Sequence, residues 1–276
     1  MYNTLEQVFG YPQFRAGQEA VVSAVLAGRS AAAIFPTGSG KSLCYQLPAL
    51  LLPHLTLVVS PLLALMQDQL AFLQRHGIAA ASIDSAQSRD EASAVMARAK
   101  AGELKILMIS VERLKNERFR NFLQQVPISL LVVDEAHCIS EWGHNFRPDY
   151  LKLPDYQRQF NIPQALLLTA TATPNVIADM QVKFAIAESD VITTGFYRAN
   201  LNLWVEPVTG AAKRQRLVQW MGERLGQPSI VYVTLQKTAE HIAQHLNQNG
   251  ISANAYHAGL PHDQREGIQR QFMGGK

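Results

Sequence analysis

A glycine-rich segment of the sequence combines residues that could bind the phosphates of a nucleotide. PTGSGKS, at 36–42, follows an apolar run that ends at Phe35, and its two glycines allow a ligand to approach the backbone closely. Backbone N–H groups in such a turn bind phosphate oxygens, while the lysine reaches the terminal phosphates and the serine hydroxyl coordinates Mg²⁺. Phe35 stands where the strict pattern has glycine, and an ordinary glycine turn with an exposed lysine is the alternative. We predict that ATP is bound by Thr37, Gly38, Ser39, Gly40, Lys41 and Ser42.

Two adjacent carboxylates close a second apolar run, in LLVVDEAH at 130–137. Asp134 would hold Mg²⁺, directly or through water, and Glu135 would orient or deprotonate the attacking water. Two solvated acids at a strand end are an equally good interpretation of this motif alone, and the phosphate loop favours the catalytic one. We therefore predict a hydrolytic site with catalytic residues Lys41, Asp134 and Glu135 and with metal ligands Ser42 and Asp134.

The carboxylates and histidines of this region do not have the arrangement of a zinc site. The candidate ligands are Glu135, His137, Glu141 and His144. They lack the H-E-x-x-H order, and the acidic pair follows a strand rather than lying on a helix. The two cysteines, Cys44 and Cys138, are far apart and form no metal-spaced pair. We expect no zinc in this chain and no disulfide, which is the cysteine usage of a cytosolic protein.

Aromatic side chains and an arginine follow the carboxylates, in the segment SEWGHNFRPDY at 140–150. Aromatic rings stack on bases, and a guanidinium pairs with phosphate. Aromatic residues are more often part of a core. Glycine, asparagine and proline separate these aromatics, however, which favours an exposed loop over a buried helix face.

A third apolar run ends in threonines, in LLLTATAT at 166–173. If this strand lies beside the one that precedes Asp134, the hydroxyls of Thr169, Thr171 and Thr173 could relay contacts between the hydrolytic site and a neighbouring domain. Single threonines are more often plain β-formers. Only their combination with the other motifs favours a functional role.

Composition is that of an ordinary globular protein. The chain has 276 residues, of which 47% are apolar and 17% charged, with a net charge of +3. No apolar run reaches the roughly 18 residues that a membrane helix needs, and the N-terminus lacks the basic region of a signal peptide. The small positive charge permits a polyanionic partner without requiring one.

Continuously apolar runs alternate with helical patterns along most of the chain, as in parallel strands that are buried on both faces. The predicted strands are 31–35, 55–60, 79–84, 104–110, 128–135 and 164–171. Among the helices between them, one runs from Pro61 to Gly77, and another opens with Ser88 and Glu91 at capping-box spacing and ends at Gly102. Repeated strand–helix units predict an α/β fold built on a doubly wound parallel sheet.

The pattern weakens near 195–205, where we place a linker, so the predicted domains are 1–198 and 199–276. The second part shows helical patterns at 214–226, 236–250 and 261–272 and apolar strand patterns at 229–234 and 251–257. Two or three strands rarely form an independent α/β sheet. We therefore expect the second domain to be incomplete.

In their order along the chain, these motifs resemble those of superfamily 2 helicases, and in detail those of the RecQ family of DNA helicases. FGYPQFRAGQ, at 9–18, is similar to the RecQ motif that grips adenine ahead of the phosphate loop. The resemblance implies that Tyr11 stacks on the base, that Arg15 lies near it and that Gln18 hydrogen-bonds its edge.

Two further segments carry the resemblance. DEAHCISEWGHNFRPDY, at 134–150, resembles the acidic motif of that family followed by its aromatic-rich loop, and AYHAGL, at 255–260, resembles a segment early in a second RecA-like lobe. The implied fold is that of a P-loop NTPase, a RecA-like doubly wound parallel sheet, with one complete lobe and part of a second.

The resemblance implies an ATP-dependent DNA helicase with 3′-to-5′ polarity and DNA-stimulated ATPase activity, acting in DNA repair and recombination. The implied ligands are ATP, Mg²⁺ and single-stranded and forked DNA. A monomer without membrane association is expected, in the cytoplasm near a bacterial nucleoid or in the nucleus of a eukaryote. The residues implied in DNA binding and in its coupling to hydrolysis are Trp142, His144, Phe146, Arg147, Thr169 and Thr171.

Motifs that carry an arginine finger in the family's second lobe do not occur in the sequence. An arginine finger contributes roughly 10³–10⁵ in rate to comparable phosphoryl transfers, so we expect this chain alone to bind ATP weakly and to hydrolyse it poorly. Two other functions stay open. One is a non-hydrolysing ATP- and DNA-binding regulatory module. The other is a P-loop kinase, against which the threonine motif and the aromatic segment argue.

Overall fold

The computed structural model describes residues 1–84, 87–143, 146–195 and 200–275 of the chain. The chain divides into two compact units, Met1–Asn200 and Leu201–Lys276. The boundary predicted at 198/199 lies outside the described residues, as does the candidate residue His144.

A seven-stranded parallel sheet forms the first unit. Its strands are β1 Ala31–Ile34, β2 Leu55–Val59, β3 Ala80–Ile83, β4 Ile106–Ile109, β5 Ile128–Val133, β6 Ala165–Thr169 and β7 Val191–Thr193. Their order across the sheet is β3-β4-β2-β5-β6-β1-β7, and every neighbouring pair is parallel. The six predicted strands and the α/β class are confirmed. β7, a three-residue edge strand, is absent from the prediction.

Helices cover both faces of the sheet. They are α1 Tyr2–Phe9, α2 Gln18–Leu26, α3 Leu43–Leu51, α4 Leu63–Arg75, α5 Arg89–Lys100, α6 Glu117–Leu123, α7 Leu153–Gln159 and α8 Pro174–Phe184. The capping box at α5 is confirmed, since the Ser88 hydroxyl accepts from the Glu91 N–H and the Glu91 carboxylate accepts from the Ser88 N–H. Pro61, predicted in the first turn of a helix, precedes α4, whose N-cap is Leu62.

Two apolar cores lie on opposite faces of the sheet. In β5, Leu131 and Val133 belong to one core and Leu130 and Val132 to the other, because successive side chains of a strand point in opposite directions. α1–α4 pack into the second core and α5–α8 into the first. Burial on both faces is why these strands read as continuous apolar runs rather than as alternating ones.

The second unit contains helices α9 Lys213–Gly222, α10 Gln236–Gln248 and α11 His262–Met273. Within the described part of this unit, 201–275, no strand is formed, so the strands predicted at 229–234 and 251–257 are wrong. A strand requires a partner for its ladder of hydrogen bonds. The Asn247 side chain instead donates to and accepts from the backbone of Ala253, and the side chains of Ile230 and Tyr232 stay exposed.

None of the helices in the described ranges is long and apolar enough to cross a membrane.

A candidate nucleotide site at the carboxyl edge of the sheet

The strand order brings the three motifs to one edge of the sheet. β6 lies between β1, which leads into the phosphate loop, and β5, which leads into Asp134. The carboxyl ends of parallel strands meet at the same edge, where α/β folds bind their ligands. Thr169, the last residue of β6, therefore lies between the phosphate loop and the acidic pair, as the sequence predicts for neighbouring strands.

The phosphate loop connects β1 to α3. Gly38 and Gly40 have φ of 84° and 83°, in the left-handed region that glycine adopts without strain. The Lys41 ammonium donates to the carbonyl oxygens of Phe35 at 2.9 Å and Pro36 at 3.2 Å. Burial lowers the pKa of Lys41, and the charges of Glu135 and Asp134 oppose that effect. The ammonium thus lies against its own loop and within the field of both carboxylates.

Two residues that precede the phosphate loop hold its backbone from outside. The buried Gln18 side chain donates to the carbonyl oxygens of Ser39 at 3.2 Å and Gly40 at 3.0 Å, and its own oxygen accepts from the Arg15 N–H at 2.8 Å. The Arg15 guanidinium donates to the Gly38 carbonyl at 3.0 Å. Sequence reasoning placed Gln18 at the edge of a base and did not foresee this bracing of the loop.

Tyr11, the residue predicted to stack on adenine, is 41% exposed. Its backbone N–H donates to the Leu5 carbonyl, which ties the segment to α1. The ring is therefore accessible, and the contact with a base stays a prediction.

Asp134 lies at the end of β5 beside a serine that sequence reasoning missed. The Ser60 hydroxyl donates to one carboxylate oxygen of Asp134 at 3.1 Å, and the Glu135 N–H donates to the other at 3.0 Å. Burial and the neighbouring Glu135 charge raise the pKa of Asp134. A cation bound here would relieve both effects. Ser60 follows the apolar run of β2 at the same sheet edge, and that position is the signal that could have found it.

Glu135 adopts a left-handed backbone conformation, with φ of 49° and ψ of 45°. Its carboxylate lies 3.3 Å from Nδ1 of His137, which in turn lies 3.0 Å from the Thr169 hydroxyl. That hydroxyl donates to the Thr171 carbonyl and accepts from the Thr171 N–H. Hydrogen bonds to the Cys138 thiol and the Glu135 carboxylate raise the pKa of His137 to about 9. A protonated His137 therefore joins the acidic motif to the threonine motif at neutral pH.

The segment with the aromatic residues packs directly against this histidine. The buried Ser140 hydroxyl donates to the Asp179 carboxylate of α8 at 2.6 Å and accepts from the Trp142 N–H at 3.2 Å. A Cβ added at Gly143 would lie 3.0 Å from the Ser140 carbonyl oxygen and closer still to that of His137. Only glycine fits this contact, so the segment is held tightly at its base.

The side chains that point away from this base are accessible. Trp142 is 69% exposed, and Phe146, further along the segment, is half-buried. The Arg147 guanidinium lies 4.0 Å from the Glu112 carboxylate, and its backbone N–H donates to the Cys138 carbonyl. The exposed tryptophan fits a loop and contradicts the alternative in which this residue belongs to a core.

Residues 15–180 match the family model of the DEAD/DEAH box helicases. The chain is a member of this family. Its phosphate loop, acidic pair and threonine motif, which meet at one edge of the sheet, all lie in the matched range.

Relatives of this DEAD/DEAH box helicase chain include RecQ proteins. It is 40% identical over 271 residues to the ATP-dependent DNA helicase RecQ of Bacillus subtilis, a match that covers 98% of this chain and 46% of the relative. It is 36% identical over 280 residues to the ATP-dependent DNA helicase Q1 of Pongo abelii, covering 98% of this chain and 43% of the relative. The resemblance to RecQ helicases is confirmed, and the chain spans less than half the length of these two curated relatives.

Solved helicase structures share the fold. The helicase Lhr of Mycobacterium smegmatis, bound to ssDNA and AMP-PNP, superposes with a TM-score of 0.68 at 20% identity, covering 97% of this chain and 39% of Lhr. The DUF1998 helicase MrfA, bound to DNA, gives a TM-score of 0.74 at 17% identity, covering 99% of this chain and 42% of MrfA. The RecA-like fold class predicted for this DEAD/DEAH box helicase is thereby confirmed.

Proposed function

We propose that the chain is the ATP-binding part of a RecQ-type DNA helicase, in which ATP hydrolysis is coupled to movement along DNA. The observation that supports this most is the continuous set of contacts from Glu135 through His137 to Thr169, beside a segment whose Trp142 is exposed. Glu135 of the candidate nucleotide site and the exposed Trp142 therefore lie on one short segment of the chain. The relatives named above, the RecQ and Q1 proteins, are DNA helicases by name.

In this proposal the phosphate loop binds ATP through its backbone N–H groups and Lys41. The ammonium would exchange the carbonyl oxygens of Phe35 and Pro36 for phosphate oxygens. Because Gln18 and Arg15 hold the loop carbonyls, the loop is organised before the nucleotide arrives, which reduces the entropy lost on binding. The accessible ring of Tyr11 would cover the base.

The residues next to the phosphate loop fit Mg²⁺. This ion prefers oxygen ligands and is usually held by one or two carboxylates together with substrate phosphates. Asp134 offers a carboxylate whose raised pKa a cation would offset, and the Ser42 hydroxyl makes no cap hydrogen bond to α3. When bound, Mg²⁺ would neutralise charge on the phosphates. Asp134 and Ser42 would hold it, and Glu135 would orient the attacking water.

DNA would act on this site through Trp142, Phe146 and Arg147. Bases stack on exposed aromatic rings, and a guanidinium pairs with phosphate. Any shift of the segment is passed to His137, because Gly143 packs on its carbonyl, and from His137 to Glu135 and Thr169. Movement with 3′-to-5′ polarity, action on forked DNA, roles in repair and recombination and a monomeric state belong to the same proposal through the likeness to RecQ helicases.

The test is ATP hydrolysis with and without single-stranded DNA, measured on this chain and on a version extended through the second lobe. We expect DNA to stimulate hydrolysis by the extended version, and we expect Lys41→Ala to abolish nucleotide binding in calorimetry. The double variant Trp142→Ala/Phe146→Ala should keep basal hydrolysis and lose the stimulation.

The matched control is Trp204→Ala, which removes another exposed tryptophan, in the second unit. Stimulation that survives in the Trp142/Phe146 double variant would contradict the coupling role of the segment. Nucleotide binding without turnover in the extended version would favour the regulatory module instead, and no binding of adenine nucleotides would refute the whole proposal.

A further inference from the structure

A groove on the first unit lies between α5, α6 and the 3-10 turn Val111–Lys115. It consists of two adjoining cavities of about 340 and 360 Å³, which share Ser93, Met96 and Arg118 in their walls. None of the residues assigned above to nucleotide binding, hydrolysis or the aromatic segment lines it.

The polar lining of this groove is positively charged. Its cations are Arg89, Arg113 and Arg118 in the first cavity and Lys100 and Arg118 in the second, and neither cavity wall includes a carboxylate. Lys100 donates to the Gln125 side chain, and Arg118 donates to the Ser93 hydroxyl. Among the described residues, no carboxylate forms a salt bridge within 4 Å with Arg89, Arg113 or Arg118.

Arg113 gives the groove a buried donor. Its guanidinium carbon lies 5.8 Å from the centre of the Phe119 ring, and its Nε is buried without a hydrogen-bond partner among the described residues. Buried N–H groups are nearly always paired in proteins, and an unpaired one in a cavity wall marks a place for an acceptor. An anion bound in the groove would lie beside the Arg113 guanidinium and the neighbouring positive charges.

The floor of the groove argues for phosphate rather than for a base. Phe119 and Phe122 are 1% and 4% exposed, so neither ring offers a face on which a base could stack. A single strand binds through stacked bases and through contacts to its backbone. The groove can supply only the second kind of contact.

The 3-10 turn links the groove to the segment proposed to bind DNA. Arg113 lines the groove, while the neighbouring Glu112 lies 4.0 Å from Arg147, and Lys115 forms an ion pair with Asp149 at 2.8 Å. The turn also follows β4 at the carboxyl edge of the sheet. The turn therefore connects a wall of the groove with the segment that carries Trp142.

We propose that the groove lined by Arg89, Arg113, Arg118 and Lys100 binds the phosphodiester backbone of a nucleic-acid strand, beyond the aromatic segment. This inference rests on the proposed DNA binding and adds a second contact region to it. Its contribution is electrostatic and independent of base sequence, so it should appear in the salt dependence of binding.

The test uses the 276-residue chain and a fluorescein-labelled thymidine 20-mer, with binding followed by anisotropy at several NaCl concentrations. We expect the double variant Arg89→Gln/Arg118→Gln to bind about tenfold more weakly at low salt. The slope of log K against log salt should fall by about 0.7 for each phosphate that the variant no longer neutralises. Both side chains are exposed, so folding should be unaffected. Arg113→Gln provides a second, half-buried variant.

The control Arg75→Gln/Arg158→Gln removes the same charge from exposed positions on α4 and α7 and should bind as the unchanged chain does. A methylphosphonate 20-mer, which has no backbone charge, should bind all variants alike.

Equal binding of the phosphodiester 20-mer by the groove variant and the unchanged chain would overturn this inference and leave the proposed function standing if Trp142→Ala still weakens binding. Failure of the unchanged chain to bind the 20-mer would overturn both. Groove-dependent binding of poly-glutamate without an effect on the 20-mer would assign the groove to an acidic protein partner instead.

Discussion

Replacing Ser140 with alanine removes the hydroxyl that ties the aromatic segment to α8. That hydroxyl donates to the Asp179 carboxylate at 2.6 Å and accepts from the Trp142 N–H at 3.2 Å, and Ser140 is fully buried. A hydrogen bond to a charged group contributes about 1.5–3 kcal/mol and a neutral one about 0.5–1.5 kcal/mol. Asp179 is half-buried and can regain water, so we expect Ser140→Ala to lower the free energy of unfolding by about 2 kcal/mol.

The measurement is thermal unfolding of the chain together with hydrogen exchange at the Trp142 amide. For a unit of about 200 residues, 2 kcal/mol corresponds to a fall in Tm of roughly 4–8 °C. The Trp142 N–H has the Ser140 hydroxyl as its acceptor, so its exchange should be faster in the variant. Both effects follow from the same missing hydroxyl and should appear together.

Ser129→Ala is the matched control. Ser129 is also buried, and its hydroxyl accepts from the His54 N–H at 3.0 Å near the amino end of β5. This variant should lose about 1 kcal/mol and leave exchange at Trp142 unchanged. A Ser140→Ala protein with the Tm and the Trp142 exchange rate of the unchanged chain would refute the view that this hydroxyl holds the segment.

Three further predictions concern the same edge of the sheet. The pKa of His137 rises from 6.5 to about 9 on folding. Protonation of this side chain therefore contributes up to about 3 kcal/mol to the free energy of unfolding; the contribution is complete below pH 6.5 and is lost as pH rises through about 9. In urea unfolding without Mg²⁺, the free energy of unfolding of His137→Gln should therefore decrease less between about pH 6.5 and 9.5 than that of the unchanged chain. An equal decrease in both would contradict a protonated His137 at neutral pH. Gly143→Ala should cost about 1–3 kcal/mol in the same assay, because the added Cβ would overlap the His137 carbonyl; wild-type stability would show that the contact can relax. Gln18→Ala removes the bonds to Ser39 and Gly40 and should weaken ATP binding about tenfold in calorimetry, or about 1.4 kcal/mol, whereas unaltered affinity would mean that the loop needs no support.

The first unit could be predicted closely because its strands are buried on both faces. Strands of this kind are apolar at nearly every position, so six of them appear in the sequence as continuous apolar runs. The phosphate loop and the acidic pair follow two of these runs. β7 escaped notice because a three-residue edge strand, partly exposed, leaves little apolar signal. The apolar runs at 229–234 and 251–257 were wrongly predicted as strands. An apolar pattern indicates that a strand can form and says nothing about whether a partner strand is present.

The contacts within the candidate site were harder to foresee than its members. His137 entered the sequence argument only as a candidate ligand of a zinc site that was rejected, yet it lies between Glu135 and Thr169. Asp179 carries no motif, and its bond to Ser140 joins residues 39 positions apart. Spacing along a chain predicts which strand ends meet, whereas the choice of partner for each polar side chain depends on packing in three dimensions.

The backbone of Glu135 carries a conformational cost, which its ion pair with His137 opposes while His137 is protonated. A non-glycine residue in the left-handed region is disfavoured by roughly 1–2 kcal/mol, and asparagine or glycine adopts the same angles more readily. Above about pH 9, where His137 is neutral, replacing Glu135 with asparagine or glycine should therefore raise the melting temperature, and each variant would lack the carboxylate proposed to orient water. A screen at alkaline pH that rewards heat resistance alone would enrich such variants, so selection for stability should score ATP turnover at the same time.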